Sequence, residues 1–250
     1  MPNRIYVVLT LWIIALLVGA GGTRAAEIKV LSDTPLAPAL QRVADAFRRD
    51  TGHEVKFVFG LSPAIHKRVS DGETGDVIII QPNFIDELVK AGKIVPGQYP
   101  TIARVGIGLF ARADATAPDI STVAAFKQAL LEADTLVFSN VAGGNYFATV
   151  IERIGIADTL KGKITRAIPA DVVARIVEGK GNDIGVLVVT LIIADKRLKL
   201  IGALPSEFQS YLVYTAAPMV NSQSPEAAKE FIRFLSLPES KKEFVAAGAD

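Results

Sequence analysis

The 250-residue chain carries 27 basic and 26 acidic side chains, and its formal net charge of +1 excludes the polycationic surface of a typical nucleic-acid-binding protein. It contains no cysteine, which excludes disulfides, a thiol nucleophile and a thiolate metal site. The length is sufficient to bury a sizeable core in one large domain or in two lobes.

The first 25 residues have the pattern of a secretory signal peptide. Arg4 supplies a basic start, residues 5–18 form an uncharged apolar run, and Thr23 and Ala25 are the small residues that precede a cleavage site. The apolar run is short for a membrane span, which needs about 20 apolar residues. We therefore predict that residues 1–25 are removed on export to the periplasm. The mature chain then has a net charge of −1, because the removed segment holds two arginines and no acid.

The first third of the chain alternates between strand and helix patterns. The predicted order is strand 28–31, helix 36–51, strand 54–59, a helix from Ser62, strand 76–80 and helix 83–91. The continuous apolar run of the third strand is typical of a strand that is buried on both faces of a parallel sheet. This alternation predicts an α/β lobe with a mainly parallel sheet.

The rest of the chain repeats the alternation and ends in helices. The predicted elements are strand 105–111, helix 122–133, strand 135–138, helix 146–154, strand 164–167, helix 172–177, strands 183–189, 198–201 and 211–217, and helices 225–235 and 240–247. Because no Pro/Gly-rich linker separates two halves, we predict lobes that are joined by crossing strands. The predicted first lobe covers 26–104, the second lobe covers 105–212, and residues 213–250 return to the first lobe.

Enzyme chemistry has little support in the sequence. The two histidines, His53 and His66, have no other His or Cys nearby, whereas a metal site usually needs three or four ligands. Residues 60–64 match a hydrolase nucleophile elbow with Ser62 as the nucleophile. That reaction also needs a base, and Pro63 removes one N–H that an oxyanion hole would use. We predict no catalytic residue, metal or cofactor, with a secreted serine hydrolase using Ser62 as the alternative from another class.

Helix starts are the more informative pattern. Helices are predicted to begin near Thr34, at Ser62, near Gly144 and near Asp171, each after a strand. In open α/β sheets such N-termini gather at the carboxyl edge of the strands, where ligands bind. A helix N-terminus offers unpaired N–H donors and a partial positive charge, so it can bind an anion without Arg or Lys. Ser62 is also expected to cap its helix with its hydroxyl.

The order of these features resembles the molybdate-binding proteins of ABC importers, within the type II periplasmic binding proteins. The resemblance covers nearly all of residues 27–250 and rests on segments 28–31, 47–52, 59–62, 75–80, 144–148, 177–181, 183–186 and 225–235. It implies an α/β fold of two lobes, with mainly parallel sheets flanked by helices and a ligand cleft between the lobes. It further implies a monomer that delivers a tetrahedral oxyanion such as molybdate or tungstate to a permease in the inner membrane.

The resemblance also implies which residues hold the ligand through hydroxyls and backbone N–H groups. These residues are Thr34, Ser62, Gly143, Gly144, Val172 and Val188. Two positions depart from the family's pattern. Asp33 places a carboxylate in a first loop that is otherwise made of small residues, and Val188 stands where the family has a tyrosine that contacts the ligand. These departures leave another small anion or an organic solute open as the ligand.

Overall fold

The computed structural model describes residues 25–250 of the chain. The predicted signal peptide, residues 1–25, lies almost entirely outside the described residues. Within residues 25–250, no helix is both long enough and apolar enough to cross a lipid bilayer.

Strands and helices alternate through most of the described chain. The strands are β1 (Glu27–Asp33), β2 (Glu54–Gly60), β3 (Val77–Ile80), β4 (Thr101–Arg112), β5 (Thr135–Ser139), β6 (Ile164–Ala167), β7 (Asp183–Val188), β8 (Leu198–Ala203) and β9 (Tyr211–Pro218). The α-helices are α1 (Ala37–Thr51), α2 (Ser62–Ser70), α3 (Pro82–Lys90), α4 (Val123–Glu132), α5 (Ala142–Arg153), α6 (Ala157–Leu160), α7 (Pro169–Glu178), α8 (Val189–Ala194), α9 (Pro225–Leu235) and α10 (Pro238–Ala246). Short 3-10 helices cover Thr34–Leu36 and Ser206–Phe208.

The strands pair in the order β2-β1-β3-β9-β4-β7-β5-β6, and β8 pairs with β4 beside this path. β1 is parallel to β2 and β3, and β5 is parallel to β6 and β7. We call the half that contains β1, β2, β3 and β9 the first lobe and the half that contains β5 to β8 the second lobe. The predicted α/β fold is confirmed, with antiparallel pairing at β4 and β9. The lobe boundaries at 104/105 and 212/213 stay predictions.

Strand β4 belongs to both lobes. Its residues 101–106 pair with β9, whereas residues 107–112 pair with β7 and β8. At this change of partner the side chain of Gln209 bonds twice to Ile107. The N–H of Ile107 donates to Gln209 Oε1 at 3.0 Å, and Gln209 Nε2 donates to the Ile107 carbonyl at 3.0 Å. The chain therefore crosses between the lobes within a paired strand.

Each lobe has an apolar core of its own. In the first lobe, Leu40 and Phe47 lie on the buried face of α1 because apolar residues recur there at helical spacing. The Phe47 ring meets the ring of Phe231 from α9 edge-on at 5.1 Å. In the second lobe, Phe138 and Phe147 make the same kind of contact at 5.2 Å. Full burial of one such side chain contributes roughly 1.5–3 kcal/mol, so both lobes are stabilised mainly by these cores.

Two helices begin three or four residues earlier than the sequence predicts. α5 starts at Ala142 and α7 starts at Pro169, in each case within the preceding turn of the chain. Gly143 and Gly144 argue locally against a helix, because glycine costs about 1 kcal/mol relative to alanine in a helix. Tertiary packing overrides this preference. Gly144 lies so close to β5 that an added Cβ would overlap the backbone of Ser139.

Candidate ligand-binding site

A cavity of about 130 Å³ lies where elements of both lobes meet. Its wall is formed by the end of β1, by residues of β7 and β9, and by the starts of α2, α3, α5 and α7. The lining residues are Asp33, Pro35, Leu61, Ser62, Pro63, Gln81, Asn83, Phe84, Ser139, Val141, Ala142, Gly143, Pro169, Leu187, Val188, Leu191, Leu212 and Tyr214. None of these described residues is Lys, Arg or His, so the wall itself carries no cationic side chain.

Four helix starts contribute to this wall. The residues that precede the first turns of α2, α3, α5 and α7 are Leu61, Gln81, Val141 and Ile168, and none of them accepts a hydrogen bond from its helix through its side chain. The first N–H groups of a helix have no partner within the helix, and they carry the positive end of its dipole. The cavity is thus surrounded by helix ends that attract hydrogen-bond acceptors and negative charge.

Asp33 changes this picture at α2. The N–H of Ser62 donates to Asp33 Oδ2 at 3.1 Å, and the Ser62 hydroxyl donates to the same oxygen. Ser62 Oγ in turn accepts from the N–H of Gln81 at 3.3 Å. The prediction that the Ser62 hydroxyl caps its own helix is wrong, because Ser62 is the first helical residue and its hydroxyl bonds to Asp33. The carboxylate of Asp33 provides the acceptor at this helix start.

Two buried oxygens in the cavity wall have no partner within the described chain. They are Oδ1 of Asp33 and the hydroxyl of Tyr214. Asp33 is 3% exposed and Tyr214 is fully buried. Burial raises the pKa of Asp33 to about 6, although hydrogen bonding from Ser62 and from the backbone N–H of Thr34 favours the ionised form. Burial and the nearby charge of Asp33 raise the pKa of Tyr214 well above its usual value, so the phenol is neutral.

Three of the predicted ligand-binding residues line the cavity. Ser62 lies in the first-lobe wall, while Gly143 at the start of α5 and Val188 at the end of β7 lie in the second-lobe wall. Val188 is 6% exposed. These three residues, distant in the chain, meet at one site because the helix starts and strand ends of both lobes lie at the same edge.

The other three predicted residues do not line the cavity. Thr34 begins the short 3-10 helix after Asp33, and Gly144 packs against β5. Val172 is fully buried, and its N–H donates to the carbonyl of Ile168 at 3.0 Å within the first turn of α7. Its backbone donor is therefore already used, whereas Pro169, three residues earlier, reaches the cavity.

Sequence reasoning missed Tyr214 and the start of α3. The signal for Tyr214 is an aromatic hydroxyl inside the otherwise apolar β9. The signal for α3 is Gln81 followed by Pro82 directly after a buried strand, which repeats the strand-to-proline pattern of Ser62 and Pro63. Tyr214 thus contributes to the cavity wall from β9 with a buried hydroxyl, while β7 contributes Val188.

The histidines lie apart from Ser62. His66 Nε2 is 3.1 Å from a carboxylate oxygen of Glu87. His53 is buried, and its Nδ1 accepts a hydrogen bond from the N–H of Ala26 at 3.0 Å. Within residues 25–250, no group of three or more potential metal-binding side chains comes together. The Ser62 hydroxyl is bonded to an aspartate, so the serine–histidine pair of a hydrolase is not formed there.

Comparison with known proteins identifies the family. The family model for bacterial extracellular solute-binding proteins matches residues 28–250. Aconitate isomerase from Pseudomonas sp is 28% identical over 229 residues, covering 88% of this chain and 86% of the relative. The molybdate-binding protein ModA of Escherichia coli (strain K12) is 22% identical over 236 residues, covering 92% and 91%.

A solved structure supports the same fold. The periplasmic molybdate-binding protein of Azotobacter vinelandii superposes with a TM-score of 0.74 at 20% identity, covering 89% of this chain and 98% of that protein. At this level of sequence identity, the structural match indicates the fold and not the ligand. The chain belongs to the bacterial extracellular solute-binding proteins and has the two-lobe fold of type II periplasmic binding proteins.

Proposed function

We propose that this chain is the periplasmic solute-binding subunit of an ABC importer and that it holds a small solute in the cavity between its lobes. The observation that carries the proposal is the convergence of four helix starts, none capped by its preceding side chain, on one cavity. Such a wall recognises a ligand through backbone donors and needs no covalent chemistry. The partner is a permease in the inner membrane.

The crossing of β4 supports a hinged mechanism. Ligand that contacts both walls binds the closed arrangement more tightly than an open one, so it shifts the population toward closure. Small-angle scattering should show a smaller radius of gyration when the cavity is saturated. An unchanged radius at saturation would remove lobe closure from the proposal.

The identity of the ligand depends on Asp33. A tetrahedral oxyanion such as molybdate or tungstate is the ligand that several relatives suggest, and the helix starts favour an anion. Asp33 opposes a dianion at α2, because it already accepts both donors of Ser62 and places a like charge in a buried site. The geometry therefore favours a small organic solute over an inorganic dianion.

Thermal unfolding with separate ligands tests the binding function. Molybdate, tungstate, sulfate, phosphate and a panel of small organic acids should be added one at a time to the mature protein. A ligand at about 100 times its dissociation constant stabilises the protein by about 2.7 kcal/mol, which gives a clear rise in the melting temperature. The proposal fails if no solute in a broad panel raises the melting temperature.

Val188→Tyr separates the two ligand classes. The new phenol would offer an O–H donor to an oxyanion, and its ring would take the space beside position 188 that a larger organic solute needs. If wild type binds molybdate, the substitution should tighten that binding by up to about 1.5–3 kcal/mol. If wild type binds an organic solute, the ring should block it, and molybdate should still not bind.

A second candidate function is isomerisation of an unsaturated organic acid. The relative named aconitate isomerase motivates it, together with a buried carboxyl in the cavity whose pKa of about 6 suits proton transfer near neutral pH. In such a reaction Asp33 would remove a proton from one carbon and return a proton to another, with no change in redox state.

Incubation of the protein with cis-aconitate, followed by chromatography for the trans isomer, tests this activity. Asp33→Asn should abolish conversion, because the amide cannot accept the proton. Conversion no faster than in buffer alone would dismiss the enzyme and leave the binding function in place.

A further inference from the structure

We propose, as a refinement that rests on the binding function above, that the ligand is a small carboxylic acid with a second polar group that donates a hydrogen bond. Its carboxylate would bind the start of α5 in the second lobe. Its donor, a hydroxyl or an ammonium, would bind Oδ1 of Asp33 in the first lobe. The two walls of the cavity carry opposite hydrogen-bonding character, and the ligand must match both.

The first-lobe wall presents an acceptor. Both donors of Ser62 go to Oδ2 of Asp33, while Oδ1 of the same carboxylate has no partner within the described chain. Asp33 lines the cavity, but it is 97% buried and Oδ1 has almost no accessible surface, so the donor of the ligand reaches this oxygen through a small shift of the wall. A buried acceptor without a donor is unfavourable, and an ionised one more so. A ligand that donates to Oδ1 removes this deficit, whereas a fully deprotonated inorganic oxyanion cannot.

The second-lobe wall presents donors. Ala142 and Gly143 form the first turn of α5 and line the cavity, and the preceding Val141 gives no side-chain cap. The N–H groups of this turn have no acceptor within the helix. Unlike α2, α5 has no carboxylate bonded to its first turn among the described contacts. A ligand carboxylate is the matching group for this turn.

The space between the walls suits a carbon skeleton. Leu187, Val188, Leu191 and Leu212 line it, and so does Tyr214, whose buried hydroxyl has no partner within the described chain. Its volume of about 130 Å³ is close to that of cavities that hold one benzene molecule. Acids of about six to nine non-hydrogen atoms are therefore the right size. Molybdate or sulfate would leave the apolar wall without a contact.

Matched ligands test the inference by calorimetry on the mature protein at pH 7.5. Succinate, L-malate and L-aspartate share one skeleton and differ only in carrying hydrogen, hydroxyl or ammonium. Propionate, lactate and alanine form a shorter set, and molybdate represents the oxyanions. Wild type should bind a hydroxyl-bearing or ammonium-bearing acid at least about tenfold more tightly than the plain acid of the same set. Whichever of the two donors is preferred identifies the ligand class.

Asp33→Asn supplies the decisive variant. Since Ser62 donates twice at this position, the amide oxygen should face Ser62 and the amide NH₂ should face the cavity, turning an acceptor into a donor. The preference for the donor-bearing acid should disappear, and molybdate binding should appear or tighten. Thr34→Ala is the matched control, because Thr34 adjoins Asp33 without lining the cavity. If Asp33→Asn does not fold, Tyr214→Phe replaces it as the test. Tyr214→Phe should weaken binding of the preferred acid by about threefold or more.

Several results would overturn the inference. These are equal binding of plain and donor-bearing acids, no binding of any of the acids, or molybdate binding more tightly than all of them in wild type. Binding of molybdate or of a neutral solute would sink the inference and leave the solute-binding function standing. If no solute in a broad screen raises the melting temperature, both this inference and the solute-binding function are wrong.

Discussion

The starts of α2 and α5 are two strand-to-helix junctions of the same design with opposite chemistry. Each follows a strand, β2 or β5, and each is preceded by an apolar residue, Leu61 or Val141, that gives no side-chain cap. At α2 the first donors are taken by Asp33, which arrives from β1. At α5 no such carboxylate is bonded to the first turn among the described contacts. The comparison shows that the character of a helix start depends on what the neighbouring strand brings to it.

Asp33→Asn should have the largest effect on stability, because it removes the carboxylate that distinguishes the start of α2 from the start of α5. The pKa of Asp33 is about 6 in the fold, against an ordinary value of 3.8. Between pH 3.8 and pH 6 this carboxyl group is therefore mostly protonated in the folded state and mostly ionised in the unfolded state. As the pH falls from 7 toward 4, Asp33 should therefore stabilise wild type relative to a variant without this carboxyl group, by up to about 3 kcal/mol. The variant should be more stable than wild type at pH 7.5 and should lose this pH dependence. Urea unfolding at pH 5 and pH 7.5 measures both, and a variant that is less stable at pH 7.5 would contradict the assignment.

Ser62→Ala should come next. Removing a hydroxyl that donates to an ionised carboxylate should lower stability at pH 7.5 by about 1.5–3 kcal/mol and raise the pKa of Asp33 further. At pH 5 the loss should be smaller, because Asp33 is mostly protonated there. Thr34→Ala is the control for a nearby side chain. Equal losses at both pH values would show that Ser62 does not act through Asp33.

Gly144→Ala, in the second-lobe wall, should lower the stability of the protein, whereas Gly143→Ala should not. An added Cβ at Gly144 would overlap the backbone of Ser139, and forced overpacking costs about 1–3 kcal/mol. At Gly143 the nearest atoms lie at 3.7 Å on Ile107 and Val188, so the methyl fits but narrows the cavity. Melting temperatures should fall for the first variant only. Calorimetry should show weaker ligand binding for the second, and unchanged binding would place Gly143 outside the site.

Tyr214→Phe should have the smallest effect on the unliganded protein. The hydroxyl has no partner within the described chain, so its removal should leave stability unchanged or raise it by up to about 1 kcal/mol. A loss of stability without ligand, measured by urea unfolding, would show that the hydroxyl is bonded inside the protein in solution.

The sequence is sufficient for the fold and for part of the site. Apolar runs and Pro63 directly after Ser62 locate strands and helix starts, because these signals act within a few residues. The bond between Asp33 and Ser62 depends on long-range register. Parallel pairing of β1 with β2 sets Asp33 opposite Gly60, two residues before Ser62, and local patterns do not encode that alignment.

Tyr214 reaches the site for a similar reason. β9 returns antiparallel to β3 with Thr215 opposite Ile80, so Tyr214 arrives beside the start of α3. The helical conformation at Gly144 is likewise set by contact with Ser139, against the preference of glycine. Where the sequence analysis was incomplete, the missing information is the alignment of strands that lie far apart in the chain.

The two hydrogen bonds between Gln209 and Ile107 join the lobes at the middle of β4 through a side chain. A side-chain amide here takes the place of a strand partner at the point where β4 leaves one sheet for the other. In the proposed hinge motion, rotation about this point would break these two hydrogen bonds, at a cost of roughly 1–3 kcal/mol in total. That energy is small beside the roughly 8 kcal/mol of a micromolar ligand. Under the proposed hinge mechanism, opening of the lobes is therefore separate from unfolding, and the Gln209 side chain contributes to the energy of opening.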